Sequence, residues 1–186
     1  MIYLFGGILA FILFLVYDIN GVIFQNRLLS GSFMIGVILL GGSTFGIVFT
    51  SGDLIRTSVL RMVIFGSLAV VCFCLLIYTL FFALPFQDTY LETGGSPKIY
   101  KDGMYALCRH PGVLWFIGFY IFLGLMLKIP LLIAAVVVFS LLNLLYVVFQ
   151  DNWTFMKMFS DYDLYKKETP FLLPNLDSIK RCIKTI

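Results

Sequence analysis

Charge is confined to a few short segments of this chain, and the apolar stretches between them dictate what it can fold into. Residues 1–17, 28–52, 62–87, 110–127 and 129–150 carry no Asp, Glu, Lys or Arg. A helix needs about 20 apolar residues to cross a hydrocarbon core of roughly 30 Å, and most of these stretches reach that length. Lipid offers backbone groups no hydrogen bonds, so each stretch must be helical, since the alternating pattern of a barrel strand is absent. The expected fold is all-α: a polytopic integral membrane protein with about five transmembrane helices, near 1–24, 32–50, 60–84, 111–127 and 130–150.

The composition agrees. Apolar residues make up 61% of the chain and charged ones 12%, against about 45–50% and roughly 25% in soluble domains. A net charge of +3 without a basic run excludes a nucleic-acid-binding surface. Five spans put the termini on opposite sides. One side receives 10 of the 13 Lys and Arg residues, including Arg27, Lys98, Lys101, Arg109 and those of the tail. That side is expected to be cytoplasmic, with the C-terminus inside and the N-terminus outside. The first stretch lacks a basic leader and a small-residue cleavage site, so no cleaved signal peptide is expected.

The first three spans (1–87) read as structural, within one membrane domain covering 1–186. Gly42 and Gly46 form a G-x-x-x-G, and Gly36 and Gly41 add small surface for close helix packing. Asp18 lies near a helix end and is expected to reach the interface. Cys72, Cys74, Cys108 and Cys182 have no metal-ligand spacing, and Cys182 is one place too early for a prenylation box. No metal site is expected, and all four cysteines read as structural.

The chemistry-bearing residues lie in 88–174. A polar loop leads through Gly103, Tyr105, Arg109 and His110 to Pro111, which can open a helix without loss because its missing N–H would be unpaired there. Pro130 opens the next helix the same way. Only Leu127, Lys128 and Ile129 separate the two, so they must form an antiparallel hairpin. Residues 111–127 rise about 25 Å and 130–151 about 32 Å, which brings Arg109 and His110 close to Asp151 and Asn152. Such a helix start suits an anionic ligand group, while the plainer reading pairs Asp151 with Arg109. The amphipathic stretch from Trp153 to Pro174 is expected to be an interfacial cytoplasmic tail that folds over the hairpin and closes a pocket. A basic tail, 175–186, follows.

The pattern Gly103-x-Tyr105-x-x-x-Arg109-His110-Pro111, the acid at 151, and Tyr162-x-x-Tyr165-Lys166-Lys167-x-x-Pro170-x-x-x-Pro174 resembles the C-terminal half of the isoprenylcysteine carboxyl methyltransferases. The related membrane phospholipid methyltransferases share much of it. The resemblance covers roughly residues 90–174. It implies that S-adenosylmethionine binds at the end of the hairpin, held by Pro97, Lys98, Ile99 and Tyr100 through backbone contacts. It further implies contacts from Tyr105, Arg109, His110, Pro111, Gly112, Val113 and Asp151, and no catalytic residue is assigned.

The sequence departs from that family at Val113, where a tyrosine is usual, at Trp115, where a glycine is common, and at Asp151-Asn152, which replaces a pair of glutamates. Val147 stands where the prenylcysteine enzymes carry a substrate-binding arginine, so their acceptor does not carry over. The expected activity is S-adenosylmethionine-dependent methyl transfer to a small or lipidic hydrophobic acceptor reached from the bilayer. Two alternatives remain: a membrane partner protein that has lost catalysis, and an NADPH-dependent membrane reductase of the sterol reductase type.

Overall fold

The computed structural model describes residues 1–52, 57–83 and 99–185. Helix α1 (Ile2–Ile19) runs into a π-helical turn, Asn20–Phe24, that ends on left-handed Gln25. Asn20 fixes the reversal that follows. Its side chain donates to Asn26 O and accepts from Asn26 N–H, both at 2.9 Å. Asn26 in turn caps the single turn α2 (Arg27–Ser30) by accepting from Leu28 N–H. Helix α3 (Ser32–Thr50) and α4 (Val59–Phe81), the latter capped by the Ser58 hydroxyl, complete the N-terminal half.

The C-terminal half begins with a short turn, α5 (Met104–Leu107), and continues into α6 (Pro111–Leu127). Lys128 takes a left-handed conformation (φ 53°) and its N–H closes on Gly124 O. Ile129 is extended, and Pro130 opens α7 (Pro130–Phe149), giving the tight antiparallel hairpin that the two prolines predict. α7 passes through a second π-helical turn, Gln150–Thr154, into α8 (Phe155–Met158). Two helices finish the chain, α9 (Tyr162–Glu168) and α10 (Leu176–Thr185). Among the described residues there is no strand.

Among the described residues, four segments are long and apolar enough to cross a membrane: Ile2–Phe24, Arg27–Thr50, Val59–Phe81 and Pro130–Met158. The fifth expected span, 111–127, is the shorter apolar helix α6. α6 begins and ends as predicted, but its 17 residues rise only about 25 Å, short of a bilayer core. The expected end of the third span at 84 lies outside the described residues.

Packing follows shape. α1 lies along α3, α4 lies along α6, and α7 contacts both α1 and α6, while α3 and α4 make no substantial contact with each other. The core joins Phe11 and Phe14 of α1, Ile47 of α3, Phe116 and Tyr120 of α6, and Leu132 and Phe139 of α7. Glycines permit the close approaches: the Phe139 ring occupies the space a Cβ on Gly7 would need, Tyr3 covers Gly46, and Phe14 covers Gly36. Gly41 and Gly42 meet nothing. The contact surface on α3 is therefore built on Gly36 and Gly46 rather than on the G-x-x-x-G pair, because position 42 lies off the face turned to α1. A bond of 2.7 Å between the Thr44 and Tyr120 hydroxyls ties α3 to α6. On the outer faces Ile38, Phe45, Val63 and Leu145 are exposed, as suits a surface solvated by hydrocarbon rather than water.

Candidate functional site

The hairpin brings Arg109 and His110, just before α6, against Asp151, in the π-helical turn after α7. Asp151 is buried and its carboxylate is fully engaged. Oδ1 accepts from Arg109 Nε at 2.8 Å, Tyr162 Oη at 2.8 Å and His110 Nε2 at 3.2 Å. Oδ2 faces Arg109 Nη2 at 3.2 Å and Lys166 Nζ at 3.0 Å. Charge-assisted bonds of this kind are about twice as strong as neutral ones. Asn152, by contrast, is exposed: its amide donates to Val148 O and accepts from Lys166.

Arg109 also fastens the tail. Its Nη1 donates to Lys166 O at 3.0 Å and Thr169 O at 2.9 Å, and its backbone N–H donates to Pro170 O at 2.9 Å. The Phe171 ring lies 5.4 Å from the guanidinium and meets His110 edge-on, while Phe155 stacks on the imidazole. The segment after Asp151 thus folds over the end of the hairpin, as its amphipathic pattern predicts.

Protonation follows from burial. Desolvation lowers the His110 pKa, opposed by Asp151, so at neutral pH the imidazole is uncharged and Nε2–H is the donor to the carboxylate. Burial raises the Tyr162 phenol, and the Asp151 charge raises it further; Tyr165 is raised chiefly by burial. Both remain hydroxyl donors, Tyr162 to Asp151 and Tyr165 to Tyr105 O at 2.6 Å. Cys108 is pushed up to about 12 by burial, which makes its thiol inert rather than nucleophilic.

Beside this cluster lies a cavity of about 380 Å³, within the range of small-molecule sites. Of the residues expected to bind a cofactor, Tyr105, Arg109, His110, Pro111, Gly112 and Val113 line it. Asp151 does not, because its oxygens point to its four side-chain partners. Ile99 and Tyr100 do not line it either. The Ile99 N–H donates to Asp161 Oδ1 at 3.0 Å, and the Tyr100 ring meets Tyr105 edge-on. Pro97 and Lys98 lie outside the described residues.

The remaining walls come from α7, the second arm of the hairpin, and from the N-terminal helices, which sequence spacing did not connect to this site. α7 supplies Asn143, Tyr146, Val147 and Gln150, and the N-terminal helices supply apolar side chains, Phe14 among them. Asp18 is 6% exposed and is turned inward beside Tyr146, Gln150 and Thr154. It does not reach the interface, as its place near a helix end suggests, because the π-helical turn at Asn20–Phe24 extends α1 past it. The sequence signal for Asn143 is an amide midway along an apolar span, but nothing in the spacing ties it to His110.

No family model, curated protein or solved structure matches this chain.

Proposed function

We propose that the chain is an S-adenosylmethionine-dependent membrane methyltransferase acting on a small or lipidic hydrophobic acceptor. The observation that carries this reading is the convergence of Tyr105, Arg109, His110, Pro111, Gly112 and Val113 on one cavity at the end of a Pro-started hairpin. In this reading α6 is a fifth, short span, the N-terminus is outside, and the site and C-terminus face the cytoplasm.

The cavity suits the cofactor in size and chemistry. Tyr105, Phe116 and Tyr120 present aromatic surface, which favours a sulfonium cation. Gln150 and Asn143 add polar groups to the lining. Bound there, S-adenosylmethionine supplies an activated methyl group. The protein's part is to align donor and acceptor and exclude water. Phe155 and Phe171, clamped about His110, serve the second task. Asp151 acts through Arg109 and His110, holding both in place.

One observation favours a second reading, a membrane partner protein without catalysis: the Asp151 carboxylate is saturated by its own chain. The reductase reading finds less to hold a phosphate, since Arg109 is engaged with Asp151 and Lys101 pairs with Glu168.

Calorimetric titration of the detergent-purified protein with S-adenosylhomocysteine, with NADPH alongside, separates these readings. The methyltransferase reading expects S-adenosylhomocysteine to bind and Val113→Trp, which fills the cavity wall, to weaken it at least tenfold, about 1.4 kcal/mol. Binding of NADPH alone would move the assignment to a reductase. Folded protein that binds neither would leave the partner role.

A further inference from the structure

The last helix is held firmly on one side and left open on the other. α10 starts on a reciprocal cap: Asn175 Oδ1 accepts from Ser178 N–H at 2.8 Å, and the Ser178 hydroxyl accepts from Asn175 N–H at 3.0 Å. Ser178 and Cys182, one turn apart, are buried, and the helix packs on α5. Two bonds fix its rotation: Arg181 Nη2 donates to Glu168 O, and Thr185 Oγ1 accepts from Gly103 N–H at 2.8 Å. α5 is itself tied to α4, because the Tyr105 hydroxyl donates to Thr79 O at 3.1 Å, in the last turn of that apolar helix. α10 is therefore held, through one helical turn, at the end of a segment long enough to span a membrane.

The open side is apolar. Leu176 and Ile183 are 76% and 72% exposed, and Ile179 is exposed between them. At about 100° per residue the three fall within an arc of about 60°. Lys180 and Lys184 run along one edge of this stripe, exposed and, among the described residues, outside any hydrogen bond or ion pair. The three cations of the helix outnumber its one acid, Asp177. Large apolar side chains bordered by lysines suit the boundary between hydrocarbon and head groups, where the apolar groups enter and lysine stems reach outward to the charges. Charge complementarity selects the occupant, because an acidic leaflet attracts such cations and a neutral one does not.

We propose that α10 docks on an anionic lipid leaflet, with Leu176, Ile179 and Ile183 entering it and Lys180 and Lys184 meeting acidic head groups. This surface lies outside the cavity and depends neither on a cofactor nor on methyl transfer.

The test uses the full chain in nanodiscs of phosphatidylcholine alone or of an equimolar mixture with phosphatidylserine. Leu176→Cys, Ile183→Cys and, as a reference away from the stripe, Asp177→Cys are each labelled with an uncharged, membrane-impermeant polyethylene glycol maleimide. The wild type supplies the background from native cysteines, and intact mass reads the rates. In mixed discs Leu176→Cys and Ile183→Cys are expected to react at least tenfold more slowly than Asp177→Cys. In phosphatidylcholine alone that ratio shrinks at least fivefold. Adding Lys180→Gln and Lys184→Gln to the Ile183→Cys chain, or raising the salt, restores labelling in mixed discs to a similar extent. All substituted side chains are exposed, and wild-type melting temperatures confirm that the fold is kept. Labelling as fast as at position 177 in mixed discs would overturn the proposal, as would equal protection in both lipids or protection indifferent to the two lysines. Protection in detergent that grows with protein concentration would also overturn it, assigning the stripe to a second copy of the chain.

Discussion

Asp151 and Arg109, 42 positions apart in the chain, form a two-pronged ion pair, with Nε on Oδ1 at 2.8 Å and Nη2 on Oδ2 at 3.2 Å. Both side chains are more than nine-tenths buried. The pair joins the two ends of the hairpin, and through Arg109 the same charge holds the carbonyls of the tail.

Breaking one side of this pair strands a buried charge. Arg109→Met is expected to destabilise the protein by about 3–5 kcal/mol, whereas Arg109→Met with Asp151→Leu recovers much of the loss. Chemical denaturation in mild detergent, read by circular dichroism, measures the cycle. Equal losses in the single and double variants would show that the pair contributes no coupling.

Tyr162→Phe removes a donor to a buried carboxylate that keeps its other partners. A loss of about 1.5–3 kcal/mol is expected, together with faster amide exchange over residues 162–171. Unchanged exchange there would mean that the tail is held by Arg109 alone.

His110 links stability to pH. Burial lowers its pKa, so folding favours the neutral ring and the unfolded state binds the extra proton. Stability is therefore full above the free imidazole value of about 6.5 and falls as pH drops below it. The melting temperature of the wild type should decline between pH 7 and pH 5 more steeply than that of His110→Gln. Parallel curves would remove His110 from the linkage.

Glycine contacts give a local test of packing. Gly7→Ala drives a methyl into the Phe139 ring, whereas Gly42→Ala points into open space. The first should cost about 1–3 kcal/mol and the second almost nothing, measured by the same denaturation. A neutral Gly7→Ala would mean that α1 and α7 can separate freely.

The buried cysteines predict slow chemistry. Cys108 is fully buried, with its pKa at about 12, and burial also raises Cys182. A polar, membrane-impermeant maleimide should label neither in the folded protein and both after denaturation in SDS, read by intact mass. Rapid labelling of Cys108 would show that the tail opens readily.

The sequence by itself determined the helices and the hairpin. Charge-free lengths marked α1, α3, α4 and α7, since hydrocarbon leaves the backbone no other way to satisfy its hydrogen bonds. Pro111, Pro130 and the short link between them set the ends of α6 and the antiparallel turn, because a proline at N1 and a two-residue connection leave few alternatives. The nearness of Arg109 to Asp151 follows from that geometry. Tertiary structure alone decided which atoms the site uses. Spacing along one helix says nothing about which side chains of α1, α3 and α4 will meet those of α6 and α7, so Phe14 and Asn143 entered the cavity unannounced. Two π-helical turns shaped this outcome: one holds buried Asp151 and Thr154, and the other extends α1 past Asp18. Hydropathy does not record such insertions, because one extra residue in a turn leaves the composition of a span unchanged while altering the direction of everything that follows.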